Sequence, residues 1–325
     1  MQRAPTTGEI RSARAVVDRY LPRAPLEHSP LLSQEFGADI YLKIESFKPT
    51  RAFKARGALV KIASLDDAAR HRGVVAASAG SHAQGVAFAA HVLGAPAAVV
   101  MPRTVSDTIV GVCRAYGAEV LLEGEMFEEA REVAHRIERE RQRTFIHPYA
   151  DPLIVAGQGT IGLELLEELP DVELIVVAVG GGGLSGGIAL AVKSARPQAR
   201  VIGVEPEGAD AVQRSVRAGA PVVLEHPHSV ADKLVAKTTE PISIEIGRRY
   251  IDDYVTVTER GLEDATYDYL ERLSLLVEPS GAAPLAALRE GKVDAHGRRT
   301  VLIVSGGNVD PAQLVRIVSE RMIAR

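Results

Sequence analysis

The chain has 325 residues, with 38 Lys and Arg against 42 Asp and Glu, a net charge of −4, and 46% hydrophobic and 25% charged residues. These proportions exclude a disordered, fibrous or membrane-embedded chain, and the near-neutral charge gives no electrostatic basis for a nucleic-acid partner. The single cysteine, Cys113, permits neither an internal disulfide nor a thiolate metal cage, so a reducing, cytoplasmic setting is expected, and the length favours two lobes.

From the N-terminus, charge interleaves with apolar residues and no apolar signal core forms. IYLKIE (40–45) reads as a strand that leads through Pro49-Thr50 into a helix carrying Lys54 in its first turn. On its own, Lys54 is either a surface lysine of an amphipathic helix or an amine of lowered pKa in apolar, electropositive surroundings. GVVAAS (73–78) reads as a buried strand, followed by Ser78-Ala79-Gly80-Ser81-His82 and a helix over 81–93. Exposed amides and hydroxyls at that helix start suit a carboxylate, while Ser81 serves equally as an N-cap.

Residues 85–101 are interrupted by His91, Gly94 and Pro96 and are too short for a membrane span. APAAVVM (95–101) and AEVLL (118–122) read as strands around a helix over 106–116 in which Cys113 packs. A helix is expected over 125–143, in which the run 128–143 places opposite charges three or four apart, a solvated helix face. Turn-rich segments near 66–73 and 147–152 are candidate hinges. They set off a smaller inserted domain, 69–145, from a larger one, 1–68 with 146–325.

A helix over 152–169 precedes the strand LIVVAV (174–179), then Gly180, Gly181, Gly182, Gly183 and Leu184 open a helix running to Ala195. Glycines let backbone N–H groups converge beside the positive end of a helix, which suits a phosphate. The run lacks the Lys-Ser/Thr ending of a P-loop and the spacing of a dinucleotide fingerprint. RVIGVE (200–205) and TVLIVS (300–305) complete the strands, and Ser305 with the following double glycine sits at a strand end, where α/β sheets place ligands. His226 and His228 have no third ligand nearby in sequence. The alternation of strands and helices specifies an α/β fold with parallel sheets and right-handed crossovers.

AFKARGA, SAGSHAQGVA, HPYADPLIVAGQGTIGLE, VGGGGLSGGIA, GVEP, VEPSGAAPLAAL and SGGNVD occur in this order over nearly the whole chain. Their order resembles the fold-type II pyridoxal-phosphate enzymes, within the threonine/serine dehydratase and serine racemase branch. The resemblance implies a tryptophan synthase β-like fold of two open parallel-sheet, three-layer domains, pyridoxal 5'-phosphate as cofactor, an amino acid as substrate, and a homodimer. It implies Lys54 as the Schiff-base and catalytic lysine and Phe53 packed on the cofactor ring. Gly180–Gly183 and Leu184 would hold the phosphate, Ser305 would face the pyridine nitrogen, and Ser78, Ala79, Gly80, Ser81 and His82 would take the substrate carboxylate.

The implied reaction removes water and ammonia from threonine or serine to give a 2-oxo acid. Ala79 stands where the resembling racemases carry a serine as second acid/base, which favours elimination over racemisation. A racemase, a 3-hydroxyaspartate-type dehydratase and a cofactor-binding regulatory protein of weak catalysis are the alternatives. Ser81 stands in place of a usual asparagine that contacts the cofactor, Ala52 in place of a serine, Arg51 in place of a glycine, and Lys233 where a glycine is common. Arg51 and Lys233 are either solvated surface cations or, facing the pocket, partners for an extra anionic or polar group. Glu205 and Ala209 fit the divalent-cation site of metal-binding members, but Ala211 replaces its ligating Asp, so cation activation is not expected. The chain has no room for the appended regulatory domain of feedback-controlled biosynthetic relatives, so a catabolic or specialised role is expected.

Overall fold

A computed structural model describes residues 3–323; residues 1–2 and 324–325, at the ends of the expected larger domain, lie outside the described residues. Among the described residues the ten strands are β1 (Leu26–His28), β2 (Asp39–Ile44), β3 (Val74–Ala77), β4 (Ala97–Met101), β5 (Glu119–Leu122), β6 (Thr144–Phe145), β7 (Leu174–Ala178), β8 (Arg200–Pro206), β9 (Asp253–Val257) and β10 (Arg299–Val304). They form a six-stranded sheet in the order β1-β2-β10-β7-β8-β9 and a four-stranded sheet in the order β5-β4-β3-β6. Apart from the antiparallel pair β1–β2, every ladder is parallel. All residues of β3, β4 and β7 are buried, because helices cover both faces of each sheet.

In the larger sheet, β10 comes from the end of the chain and lies between β2 and β7, pairing Val304 with Ile44 and Leu302 with Val176. The strand order therefore reverses there, and the loops leaving β2, β10 and β7 diverge around one crevice at the carboxyl ends, where open α/β sheets bind ligands. Strands β1, β6 and β9 fall outside the sequence expectations. β6 has two residues, and β9 mixes Asp253, Tyr254 and Thr256 in an edge strand that lacks the continuous apolar run of its neighbours.

Three elements that carry the site are fastened below it by buried charge. Helix Ala55–Ala63 places Arg56 in the core, with no exposed surface. Its Nε and Nη2 donate to Glu45 at 2.9 and 2.8 Å, its Nη1 and Nη2 to Glu164 at 2.8 and 2.9 Å, and its Nη1 also to Thr160 Oγ1 at 2.9 Å. Buried Lys43, on β2, adds its ammonium to Glu164 at 3.0 Å, to Glu168 at 3.1 Å and to the Ala24 carbonyl at 2.8 Å. Burial alone would raise the Glu164 carboxyl, but Arg56 and Lys43 pull it down to about 2, so it is charged throughout the neutral range. Arg56→Met strands the buried Glu45 carboxylate and leaves Glu164 with Lys43 alone, and a loss of about 3–5 kcal/mol in the stability of the cofactor-free protein is expected from urea denaturation.

Candidate active site

The loops after β2 and β10 are stitched together. Ala52 bridges to Gly306, the Phe53 amide donates to the Ser305 carbonyl at 3.2 Å, and the Gly307 amide donates to the Arg51 carbonyl at 2.9 Å. Lys54 follows as the N-cap residue of helix Ala55–Ala63, one position ahead of the first turn expected from sequence. Its amine points inward, donating to the Pro148 carbonyl at 2.9 Å and lying 5.1 Å from the centre of the Phe53 ring. Burial lowers the amine to about 8, with the Glu278 carboxylate opposing that fall.

The two histidines beside Lys54 add no positive charge at neutral pH. His82, buried, donates from Nε2 to the Ile146 carbonyl at 2.9 Å, and His147 Nδ1 accepts from the Tyr149 and Ala150 amides at 3.2 and 2.8 Å. Burial, reinforced by Lys54, holds His82 at about 3 and His147 at about 4, so both imidazoles are neutral.

Beyond β7, Gly180–Gly182 form a tight loop, with Gly182 at φ 90°, and Gly183 and Leu184 already open helix Gly183–Ala195. A Cβ on Gly181 would run into the Tyr149 ring, and one on Gly183 would come within 2.8 Å of the Tyr149 carbonyl. The Gly181 carbonyl is held away by Thr239 Oγ1 at 3.0 Å and Ser243 Oγ at 2.8 Å. The first amides of the helix have no intrahelical partner, so this loop is a backbone cradle for an anion.

The third segment leaves β3. Gly80, and not Ser81, is the N-cap of helix Ser81–Leu93, which corrects the capping role open to Ser81. The Ser81 hydroxyl instead accepts from Asn308 Nδ2 at 3.0 Å, and the Gly80 amide donates to Ser78 Oγ at 3.1 Å. Ala79 is exposed between them and presents only a methyl group, while Ser305 is buried at the end of β10.

The remaining candidates divide by position. Lys233 runs inward to Glu278, 2.7 Å away, whereas Arg51 is exposed and holds φ 54°. Glu205 turns onto the amides of Val212 and Gln213 at 3.0 and 2.7 Å, capping helix Ala211–Ala218, and Ala209 is buried beside it. His226 and His228 are exposed, and among the described residues no group of three or more His, Cys, Asp or Glu side chains could hold a metal ion. Cys113 is buried, and burial pushes its thiol up to about 12, so it packs without nucleophilic character.

Residue-level reading of the sequence does not single out Tyr149, Glu278 or Asn308, although they lie in the HPYADP, VEPSGAAP and SGGNVD strings. In the cofactor-free protein, the rate at which an amine-directed reagent labels Lys54, read by peptide mass spectrometry, should rise with a midpoint near pH 8. Ordinary surface lysines titrate more than two units higher. Arg51 is a non-glycine in the left-handed region, pinned through its amide and carbonyl, so Arg51→Gly should stabilise the protein by about 1 kcal/mol in thermal or urea denaturation.

Residues 17–306 match the family described as pyridoxal-phosphate dependent enzyme. An L-threonine ammonia-lyase of Thermotoga maritima is 42% identical over 98% of this chain and 79% of its own length. Maize serine racemase superposes with a TM-score of 0.91 at 35% identity, covering 99% of both chains. The processed form of threonine deaminase isoform 2 from Solanum lycopersicum superposes with a TM-score of 0.90 at 31% identity, covering 98% of this chain and 96% of that one. Matched to that family over residues 17–306 and 31–42% identical to these relatives over nearly its full length, the chain belongs to the fold-type II pyridoxal-phosphate-dependent enzymes.

Proposed function

We propose that the protein is a hydroxyamino-acid ammonia-lyase that converts a β-hydroxy amino acid, with L-threonine and L-serine the default substrates, into a 2-oxo acid and ammonia. Water is eliminated first and taken back as ammonia leaves. The observation that carries this reading is the partly buried, inward-pointing amine of Lys54, lowered to about 8 and aimed by the Pro148 carbonyl. An amine that is partly neutral near pH 8 can both bond a carbonyl group and act as a base.

The residues present fit pyridoxal phosphate. The cradle of Gly180, Gly181, Gly182, Gly183 and Leu184 would hold its phosphate, Lys54 would carry it covalently, Phe53 would pack on its ring, and Ser81 would lie near it. Ser305 would meet the ring nitrogen as a neutral hydroxyl. When bound, the cofactor supplies an electron sink for the pair left on the substrate's α-carbon.

The chain's own groups supply the rest. Lys54 takes the α-proton, with Pro148 orienting its lone pair. The Ser78–His82 loop binds the substrate carboxylate through the amides and hydroxyls that begin helix Ser81–Leu93. Neutral His82 and His147 leave the Lys54 amine free of a competing imidazolium. Ala79 offers no group to return a proton to the opposite face, which favours elimination over racemisation. Lys233 has its donors engaged by Glu278 and Asn308, so it provides no spare cation for a second substrate carboxylate.

We also propose that 69–145 moves as a small domain against the rest, that two chains pair as a homodimer, and that the enzyme is cytoplasmic. The four strands lying within 74–145 support the small domain, the single, buried Cys113 supports a reducing compartment, the homodimer follows from the family resemblance, and no helix among the described residues is long and apolar enough to cross a membrane.

The purified protein should bind the cofactor with a visible absorbance band that Lys54→Ala abolishes. It should release 2-oxo acid from threonine, serine or 3-hydroxyaspartate in a dehydrogenase-coupled assay, about a thousandfold faster than Lys54→Ala. A loaded wild type that releases no 2-oxo acid from any of them overturns the lyase. A D-enantiomer accumulating faster than 2-oxo acid, on chiral chromatography, assigns a racemase.

A further inference from the structure

Lys233 stands on a single 3-10 turn, Asp232–Leu234, yet its side chain runs into the site. Its ammonium lies 2.7 Å from the Glu278 carboxylate and donates to the Asn308 carbonyl at 3.0 Å. Glu278 is only 3% exposed, and burial pushes its carboxyl up, a rise that Lys233 counters. Burial likewise opposes the Lys233 charge, but Glu278 and Asp232 raise its pKa overall. Withdrawing the ammonium would strand Glu278 in the interior, so the side chain is held inward.

Lys233 lies beside both backbone cradles, leaving no room for a side chain at Gly180 and placing its stem next to Gly80. Its carbonyl lies 3.0 Å from where a Cβ on Gly180 would stand, and its Cε lies 3.6 Å from where one on Gly80 would stand. Asn308 completes the connection by donating from Nδ2 to Ser81 Oγ at 3.0 Å and to the Thr50 carbonyl at 2.9 Å. The N-cap of helix Ser81–Leu93 is Gly80, which has no side chain to fasten the turn. The contact from Asn308 instead tethers the first residue of that helix through its hydroxyl, and it links the segment after β10 of the larger sheet to the segment after β3 of the smaller one.

We infer that Lys233 is a positioning residue: by gripping Glu278 and the Asn308 backbone, it sets the Asn308 amide on Ser81 and so fixes the Ser78–His82 loop in the geometry that receives a substrate carboxylate. The role assigned to that loop rests on the lyase reading. A strap of this kind acts on substrate affinity and on the motion of one loop. It leaves proton removal by Lys54 to the Pro148 carbonyl, which it does not touch.

The test uses the holoenzyme and the variants Lys233→Met, Lys233→Arg and Asn308→Ala. Asn308→Ala, which leaves the Lys233–Glu278 pair intact, should raise KM for threonine about tenfold with kcat within about threefold, Lys233→Met should raise KM about tenfold as well, and the KM of the double variant should be no worse than that of the poorer single one. Lys233→Arg should keep KM within about threefold of wild type. Hydrogen exchange of peptides covering 78–85 should speed up about tenfold in the first two variants, while 180–190 stays unchanged. If Lys233→Met fails to fold or to hold the cofactor, Asn308→Ala carries the same two readings. Wild-type KM and wild-type exchange at 78–85 in a folded, loaded variant overturn the inference, as does a fall in kcat at constant KM. A wild type without turnover would sink the lyase instead, and the exchange measurement, which needs no turnover, would still decide the strap.

Discussion

Everything at the site hangs from the guanidinium of Arg56. Its N–H groups meet Glu45, Glu164 and Thr160, and the Glu164 carboxylate is shared with Lys43. The partners come from β2, the turn that follows it and helix Pro152–Glu168. In the dry interior a planar fork bound on both sides tolerates little displacement, because each lost hydrogen bond exposes a desolvated charge. Lys54 caps the same helix that carries Arg56, so the position of the reactive amine is inherited from the ion cluster beneath it. The helices that frame this cluster also approach closely, with Gly157 set against the Gly57 backbone where no Cβ could fit.

Above the cluster, the chemistry depends on keeping charge scarce. Lys54 sits among two neutral imidazoles, an aromatic ring and a carbonyl, with Glu278 as the nearest influence of opposite sign. Burial and pairing thus divide the lysines of one crevice into two kinds. Lys54 is unpaired and lowered, ready for a reaction, while Lys233 is paired and raised, a fixed ammonium. The same residue type serves both purposes because an ammonium is a compact charge whose pKa follows its surroundings.

The legibility of the sequence tracks the range of the interactions. Strands such as Val74–Ala77 and Leu174–Ala178 are continuous apolar runs between turn signals, and helix Ser81–Leu93 keeps its bounds because Gly94 ends it in the left-handed region. β9 was hidden because an edge strand needs an apolar side only toward its single neighbour. The glycine cradle was legible because its close approaches leave no alternative residue. Ser81 was not, since its partner, Asn308, lies 227 positions away and nothing local announces the contact. Lys233 likewise could be read as surface or pocket until Glu278 was placed opposite it.

The borders of the two sheets bear on how the protein survives its own synthesis. Parallel sheets with strands drawn from both ends of a chain assemble late, and until then their open borders can recruit another molecule. Each border here is short or charged. β1 has three residues, β6 has two, β9 begins at exposed Asp253, and β5 begins at Glu119, which is clamped by Arg141 and Arg143. Such margins offer an incoming strand little to pair with, so the crevice can be built from aggregation-prone apolar strands while their free edges discourage association between half-folded chains.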